Sequence, residues 1–497
     1  MIREQETGAV RRLSQKEAGA YFTPDVVASS LLRWAVRNES DRLLDPSCGD
    51  GRFIAGHRNS VGIEQDLDTI GTAMARAPWA LIHEGDFFAW AAETVERFEC
   101  AAGNPPFIRY QSFKGDIRAR ALDLCSRLGA DFSGLASSWA PFLVATAGLL
   151  KPGGRMAFVV PAEIGHAPYA APLLEFLVGH FSTVHVVAVR EKVFPDLSED
   201  CWFLFTDGYG GRTSEIRFSV LNRFSPAMRP PQLSIRVSVP EWRNLWKRRL
   251  RPFLIPEDSR ELYRQVVQQA DTQRFGELAN IGIGYVSGAN DFFHLRPSEV
   301  DRWKIPNKFL HPTVRNGRSL TASRLTDAMV EKWRRDDEPI YLLRLPKLKE
   351  LPSAVSRYLD TEEGRTARKA YKCRVRDPWY SVPDVQVPDF FLSYMSGIRP
   401  SLTRNDANCT ATNSVHIVRI KPDAPAKSNL SSWTSDFVQL SCEIEGHPLG
   451  GGMLKLEPRE ATEIVLPSRT TLKQLDARQV EGAIDTLRRW RHYASAA

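Results

Sequence analysis

The chain has 497 residues, of which 43% are hydrophobic and 25% charged, a composition typical of a globular protein with two or three domains. No apolar run reaches the roughly 18–20 residues that a membrane-spanning helix needs, and the first residues, MIREQETGAVRR, lack the apolar core of a secretion signal. Seven cysteines without a C-x-x-C pair fit reduced thiols better than a disulfide framework or a zinc site. We therefore expect a cytoplasmic protein with no membrane partner and no bound metal.

Positive charge is concentrated in the second half of the chain. Residues 1–240 hold 25 basic and 27 acidic residues, which leaves 41 of the 66 basic and 32 of the 59 acidic residues for 241–497. An excess of this kind suggests a polyanionic partner such as nucleic acid. An ordinary solvated surface remains the alternative on charge alone.

Short β-rich runs alternate with helical stretches through the first half of the chain. We predict seven strands, at 42–45, 61–64, 80–85, 98–103, 155–161, 183–189 and 201–205. Strands that alternate with helices favour a mostly parallel sheet covered on both faces, an α/β Rossmann-like fold. Ligands of such sheets bind at the carboxyl ends of the strands.

The pattern becomes irregular after about residue 212. Prolines and basic residues are frequent over 225–251, and we place a linker at 241–256. The first predicted domain is then 1–240. Beyond the linker, short runs separated by turns predict a mixed α+β domain over 257–497.

A glycine-containing loop, DPSCGDG at 45–51, follows the first predicted strand. Two glycines one residue apart let the backbone turn tightly and approach a ligand. Glu64 lies 19 positions after Asp45, where α/β nucleotide-binding folds place a carboxylate for ribose hydroxyls, and Asp86 closes the third strand, suited to an adenine amino group. A plain strand-to-helix turn is the alternative for the loop alone. Because Asp45 would oppose a pyrophosphate, the pattern favours a ligand with a positive centre and an ammonium group, such as S-adenosylmethionine.

The tetrapeptide Asn104-Pro105-Pro106-Phe107 ends the fourth predicted strand. Its prolines stiffen the backbone and remove two donors, so the Asn104 side-chain oxygen and the Pro105 carbonyl can both accept from one exocyclic NH₂. Accepting both hydrogens frees the nitrogen lone pair to attack a sulfonium methyl, with no His or Cys nucleophile. Phe107 offers a flat face on which a base can stack. A rigid loop that ends a strand is the alternative for the motif alone.

With these motifs in this order, the sequence resembles the gamma-class DNA N6-adenine methyltransferases of restriction–modification systems. In that arrangement the cofactor motifs come first, then the catalytic tetrapeptide, then a C-terminal target-recognition domain. The resemblance implies a class I methyltransferase sheet with S-adenosylmethionine as cofactor. It also implies that 1–240 is the catalytic domain and 257–497 the recognition domain.

The resemblance assigns roles to individual residues. The N-terminal cofactor motif of the family is matched by the stretch Gly19-Ala20-Tyr21-Phe22-Thr23-Pro24. The cofactor-binding residues that it implies are Tyr21, Phe22, Thr23, Asp45, Pro46, Ser47, Gly49, Glu64, Asp86 and Phe87. The catalytic residues that it implies are Asn104, Pro105, Pro106 and Phe107. A common form of the tetrapeptide ends in tyrosine, so Phe107 keeps the stacking face but brings no hydroxyl. Phe194, in the stretch VFP, resembles the second aromatic that holds the base, although an ordinary core phenylalanine explains it nearly as well.

The C-terminal half resembles the recognition domains of these enzymes at 275–290, 378–380 and 450–458. A target base must leave the duplex before it can reach the pocket, at a cost of a few kcal/mol that backbone contacts and stacking offset. The candidate contacts with double-stranded DNA are Arg315, Arg318, Arg344, Lys347, Arg374, Arg376 and Arg404. For each of them a solvated surface charge is the alternative.

The expected activity is methyl transfer from S-adenosylmethionine to the N6 amine of a flipped-out adenine in a short DNA sequence. The alternatives are a catalytically idle DNA-binding specificity subunit and a methyltransferase that acts on protein glutamine or on RNA. No separate segment has room for a nuclease domain, so we expect cleavage to come from a separately encoded restriction endonuclease.

Overall fold

The structure of the protein, a computed structural model, describes residues 22–194, 197, 199–226, 229–347, 350–424, 429–449 and 451–493. The chain divides into two compact units, and the division falls between Leu254 and Ile255. Among the described residues, no helix combines the length and the apolar character needed to cross a membrane.

A nine-stranded sheet forms the centre of the first unit. Its strands are β1 (Leu43–Asp45), β2 (Ser60–Glu64), β3 (Leu81–Glu84), β4 (Phe98–Gly103), β5 (Leu150–Pro161), β6 (Phe181–Val189), β7 (Cys201–Tyr209), β8 (Glu215–Leu221) and β9 (Ile235–Ser238). They lie in the order β3-β2-β1-β4-β5-β7-β6-β8-β9, and neighbours from β3 through β5 are parallel. Only β7 interrupts this direction before β8, because it is antiparallel to both β5 and β6. The predicted mostly parallel sheet is confirmed, and it contains all seven predicted strands.

Two strands beyond the predicted seven, β8 and β9, extend the sheet past β6. Apolar residues alternate along β8, and its Ile216 and Phe218 are fully buried. This period of two is typical of a strand with one covered face. The prolines and basic residues around it hid the signal, since they favoured an irregular segment.

Helices cover the faces of this sheet. They are α1 (Asp25–Ala35), α2 (Leu67–Arg76), α3 (Phe87–Glu93), α4 (Gly115–Arg127), α5 (Trp139–Ala147), α6 (Ala171–His180) and α7 (Val239–Asn244). All nine residues of α5 are buried, which its apolar sequence WAPFLVATA explains. A core cluster containing Val27 and Leu31 of α1 together with Ala102 of β4 and Val159 of β5 joins helix to sheet. This packing fixes the strand ends from which the site is built.

The segment predicted as a linker, 241–256, is instead largely packed into the first unit. Trp242 and Leu250 are fully buried, and Trp246 and Phe253 are nearly so. Trp242 lies on α7, and Phe253 lies on a short 3₁₀ helix at Arg251–Leu254, so helical turns at both ends bring these side chains into the core. Their burial is the physical reason why the segment is not an exposed connector.

The second unit combines short strands with helices. Its strands are β10 (Gln273–Arg274), β11 (Ala279–Ile283), β12 (His294–Leu295), β13 (Leu310–Val314), β14 (Arg324–Leu325), β15 (Tyr341–Leu343), β16 (Phe390–Ser393), β17 (Met395–Ser396), β18 (Leu402–Asn405), β19 (Thr410–Ala411), β20 (Val415–Ile420), β21 (His447–Pro448), β22 (Leu454–Lys455) and β23 (Val465–Leu466). Its helices are α8 (Glu257–Val267), α9 (Phe275–Leu278), α10 (Asn290–Phe293), α11 (Pro297–Trp303), α12 (Asp327–Arg335), α13 (Ser353–Leu359), α14 (Glu362–Lys369), α15 (Tyr371–Arg374), α16 (Asp436–Glu445), α17 (Pro458–Glu463), α18 (Arg469–Gln474) and α19 (Ala477–Trp490). The largest sheet runs β11-β20-β16-β18-β14. The predicted mixed α+β character is confirmed, whereas the roles predicted for the two domains stay predictions.

Candidate active site

The predicted acids and the tetrapeptide all follow the carboxyl ends of parallel strands. In the register of the sheet Asp45 pairs with Gly62 and Glu64 pairs with Glu84, so β1, β2 and β3 end at one edge. β4 lies beside β1 in the same direction and ends at Gly103. Asp45, Glu64 and Asn104 therefore share one edge of the sheet, as the parallel arrangement requires.

The glycine loop turns back over the end of β2. The backbone N–H of Cys48 donates to Ile63 O at 2.9 Å, and that of Gly49 donates to Glu64 Oε2 at 3.0 Å. Gly51 has φ +87°, and a Cβ there would lie 3.0 Å from Ala73 Cα in α2. Glycine is therefore needed at residue 51, both for the turn and for the close approach of α2.

Glu64 is held by three backbone amides. Gln65 N and Asp66 N donate to its Oε1 at 2.8 and 2.9 Å, in addition to Gly49 N on Oε2. A carboxylate has about four acceptor sites, so this geometry fixes the side chain and leaves acceptor capacity on Oε2. That is the position at which the sequence predicts a ribose hydroxyl.

Asp45 is buried, and none of the ion pairs among the described residues includes its carboxylate. Its side chain is 1% exposed, and burial raises the pKa of its carboxyl to about 8, opposed by the Ser47 N–H and reinforced by the charges of Glu64 and Asp50. Ser47 N donates to Oδ1 at 3.2 Å, but within the described part of the chain Oδ2 has no hydrogen-bond partner. Asp50, in the same loop, differs because Arg76 and Arg52 contact its carboxylate at 2.6 and 3.0 Å.

The predicted N-terminal motif lies beside this loop where the structure describes it. Tyr21 and the residues before it lie outside the described part of the chain. A Cβ on Gly49, whose φ is +52°, would lie 3.9 Å from Phe22 Cε1, and the Phe22 side chain is 46% exposed. Arg52 donates to Thr23 O at 2.8 Å and its guanidinium lies 5.9 Å from the centre of the Phe22 ring. Phe22 and Thr23 are thus anchored next to the glycines.

Asp86 caps the helix that follows β3. Its Oδ1 accepts from Ala89 N at 2.9 Å, and Arg120 of α4 approaches the same oxygen at 3.7 Å. The ring of Phe87 stacks on Phe142 of α5, with centroids 5.0 Å apart and an interplanar angle of 19°. Sequence reasoning missed Phe142, because an aromatic residue in an apolar helix looks the same as any core residue.

The tetrapeptide is clamped from both sides. Ser138, which is fully buried at the start of α5, accepts from Ile108 N at 3.0 Å, donates through its own N–H to Ile108 O at 3.0 Å, and donates through its hydroxyl to Pro106 O. On the other side the Ser47 hydroxyl donates to Asn104 O at 3.4 Å. No motif in the sequence marks Ser138, although it holds the backbone on which Asn104 stands.

Asp45, one of the predicted cofactor-binding acids, lies directly beside the tetrapeptide. A Cβ on Gly103, the residue before Asn104, would lie only 2.7 Å from Asp45 Oδ1. Any side chain at residue 103 would therefore displace the carboxylate. This approach brings the predicted cofactor site and the predicted catalytic motif together.

The two predicted stacking aromatics contact one core cluster. Phe107 is partly buried against the cluster that contains Val27 and Phe203, and Phe194 is a member of it with 6% of its surface exposed. Phe194 is thus covered in this conformation, and its role in holding a base stays a prediction.

Comparison with known proteins identifies the family of this chain. The family model described as "Type II methyltransferase M.Eco57I, C-terminal domain" matches residues 247–496, half of the chain. The chain belongs to this family. Its predicted resemblance to restriction–modification DNA methyltransferases is therefore confirmed.

Individual relatives extend the similarity over nearly the whole chain. The Type II methyltransferase M.XamI of Xanthomonas campestris pv. amaranthicola is 23% identical over 479 residues, which cover 92% of this chain and 86% of M.XamI. The Type II methyltransferase M.AccI of Acinetobacter calcoaceticus is 19% identical, with 90% and 84% covered. Among solved structures, the Type IIL restriction-modification enzyme MmeI in complex with DNA aligns with a TM-score of 0.53 at 13% identity. That alignment covers 88% of this chain and 64% of the MmeI chain, and it supports the fold alone.

The site residues of this Type II methyltransferase fit S-adenosylmethionine, the cofactor of the class I methyltransferase fold. Asp45 Oδ2 is a buried acceptor without a partner in the described structure, which suits a cationic group. Glu64 keeps acceptor capacity toward a ribose, and the exposed Phe22 lies beside Gly49. Among the residues that the structure describes, no group of three or more His, Cys, Asp or Glu side chains is placed to hold a metal ion.

The structure separates the predicted DNA contacts of this methyltransferase into three groups. Arg315, Lys347 and Arg404 are ion-paired with Asp291, Asp377 and Asp406 at 3.1, 2.8 and 2.9 Å respectively. Arg376 donates to the backbone carbonyls of the 286–287 loop, at 2.6 Å each. The exposed candidates without an ion pair in the described residues are Arg318, Arg344 and Arg374.

Proposed function

We propose that this protein methylates the N6 amine of adenine in a specific sequence of double-stranded DNA. In this proposal it is the modification component of a restriction–modification or defence system in the cytoplasm. A separate polypeptide supplies the DNA cleavage. The observation that carries the proposal is the placement of Asn104-Pro105-Pro106-Phe107 at the end of β4, beside Asp45.

The tetrapeptide supplies the groups that the reaction needs. The Asn104 side-chain oxygen and the Pro105 carbonyl accept the two hydrogens of the amine, which localises the lone pair on nitrogen. Phe107, partly buried against the core cluster, provides a ring on which the adenine stacks. The proton that the nitrogen loses after transfer passes to solvent, so no side chain has to act as a strong base.

The loop residues orient the donor. S-adenosylmethionine supplies a methyl group on a positively charged sulfur when it is bound. Asp45 provides the negative charge for the cationic end of this molecule, and Glu64 accepts from its ribose. Asp86 accepts from its adenine, with the buried Phe87 packing nearby. Ser138 and Ser47 hold the tetrapeptide rigid, which keeps the two reactants in line.

Mapping of modified bases tests the proposal. The protein is expressed in a host that lacks DNA methylation, the DNA is sequenced at single-molecule level, and its nucleosides are analysed. N6-methyladenine at one short sequence is the expected result. Methylation of cytosine alone would overturn the choice of adenine, and unmodified DNA together with methylated RNA or protein would overturn DNA as the substrate.

A further inference from the structure

A strongly basic segment of the second unit follows Glu362 and Glu363, which lie in the first turn of α14. Between Gly364 and Asp377 there are six lysines and arginines and no acidic residue. Five of the six are exposed, and we call these five the basic patch; its members are Arg365, Arg368, Lys369, Lys372 and Arg374. The first three lie on α14 at spacings of three and four residues, so they share one face of that helix.

Other cations of this unit make ion pairs, whereas none is seen for the basic patch among the described residues. Arg324 and Arg404 share Asp406, Arg399 contacts Asp436, and Arg491 lies against the buried Glu443. Within the part of the chain that the structure describes, no member of the basic patch has an ion pair. Like charges at helical spacing repel one another, so an outside anion stabilises this arrangement.

The helix that carries Lys372 and Arg374 of the patch, α15, packs tightly against the loop at 286–288. Arg376 donates to Val286 O and Ser287 O, and the Cys373 thiol lies 3.7 Å from Ser287 O. A Cβ on Gly288 would lie 2.9 Å from Lys372 Cβ, so the loop and α15 are in tight contact. Arg376, predicted to contact DNA, here holds the helix that carries Lys372 and Arg374. Cations held on a packed helix lose less conformational entropy when they bind a ligand.

An exposed aromatic residue lies among these cations. Tyr371 is 66% exposed, and Lys372 Nζ and the Arg374 guanidinium lie 5.9 and 5.8 Å from its ring centre. An exposed ring surrounded by positive charge is typical of nucleic-acid surfaces, where cations bind phosphates and the ring contacts sugar or base.

We propose that the basic patch binds the phosphate backbone of duplex DNA, at nucleotides other than the one that is methylated. The choice of DNA rests on the proposed function. Contacts with phosphates carry no sequence information, so the patch contributes to affinity on every sequence and to its dependence on salt.

Salt dependence of binding tests this surface. The full-length protein with Arg365→Gln, Arg368→Gln, Lys369→Gln and Lys372→Gln is compared with a matched variant that changes four exposed cations elsewhere in the unit, Arg469→Gln, Lys473→Gln, Arg478→Gln and Arg489→Gln. Affinity for a fluorescent duplex of mixed sequence is measured between about 50 and 200 mM NaCl, the range over which phosphate contacts are resolved. Circular dichroism and S-adenosylmethionine binding verify that both variants fold.

Each phosphate contact contributes about 0.9 to the slope of log K against log salt. In the patch variant, the slope is expected to become shallower by roughly 2–4, and the affinity to fall at least about thirtyfold. The matched variant should stay near wild type in both. Equal losses in both variants, or no loss in either, would overturn the inference. If the wild type methylates DNA while the patch variant binds like wild type, the surface is wrong and the proposed function stands. Wild type that neither binds nor methylates DNA would overturn both, and tighter binding to duplex RNA would overturn the choice of partner.

Discussion

The edge of the sheet in the first unit and the basic patch in the second use charge in opposite ways. At the sheet edge, a few carboxylates are positioned by backbone amides and by burial, as for Glu64 and Asp45. On the patch, many cations are exposed and make no ion pair within the described residues. The roles proposed for the two regions explain the difference: a reaction needs few groups at fixed distances, whereas a polyanion is bound by many groups whose exact positions matter less.

The largest effect is expected from Asn104→Ala, which removes one of the two acceptors for the amine. Methyl transfer from tritiated cofactor to unmethylated DNA should fall by about 10²–10³ or more, while cofactor affinity stays within about twofold. Asn59→Ala, an exposed position at the amino end of β2, is the control. Near-wild-type turnover of the Asn104→Ala variant would remove the tetrapeptide from the chemistry.

Cofactor binding should depend on pH through Asp45. Burial raises the pKa of its carboxyl to about 8, so the free site is largely protonated at pH 6 and must lose a proton to receive a cation. Affinity for S-adenosylmethionine should rise between pH 6 and pH 8, by up to about tenfold per pH unit. Calorimetry over this range, in buffers of different ionisation enthalpy, measures both the affinity and the released proton.

Asp45→Asn sharpens the same test, because the amide cannot ionise. The variant should bind the cofactor weakly and without proton release, whereas Asp123→Asn, at an exposed position on α4, should keep the wild-type profile. A wild-type profile in the Asp45→Asn variant would show that another group receives the cation.

A smaller effect is expected from Ser138→Ala, because this residue acts through the backbone of the tetrapeptide. Loss of its hydroxyl leaves Ile108 N and Pro106 O without their partner and loosens Asn104. Turnover should fall by about 10- to 100-fold, with the affinity for S-adenosylmethionine unchanged. Ser126→Ala, on the exposed side of α4, is the control. Equal loss of turnover and cofactor affinity would indicate a general loss of structure instead.

The sequence predicts the sheet edge well because its groups must follow one another in a fixed order along parallel strands. Asp45 and Glu64 end their strands and Asn104 directly follows β4, so their meeting follows from topology. Ser138 and Phe142 could not be predicted, because their partners are about 30 and 55 residues away and the contacts exist only in the folded chain. Short motifs indicate the local backbone geometry, but they do not indicate which distant residues pack against it.

The sequence predicts an excess of positive charge in the second unit, but it does not predict which basic residues are exposed. Composition alone could not separate Arg376, which holds the 286–287 loop, from Arg374, which is exposed two residues earlier. The buried Trp242 and Leu250 show the same limit for the predicted linker, since polar neighbours masked an apolar face. In both cases the side-chain partner decides the role, and the partner is set by tertiary structure.

A structure of the protein bound to duplex DNA and to a non-reactive analogue of S-adenosylmethionine tests the central claim most directly. We expect an extruded adenine stacked on Phe107. Its amine should lie within hydrogen-bond distance of Asn104 and about 3–3.5 Å from the atom that replaces the transferable methyl group. An adenine amine bound elsewhere, or an analogue too distant from Asn104 for the two reactants to touch, would contradict it.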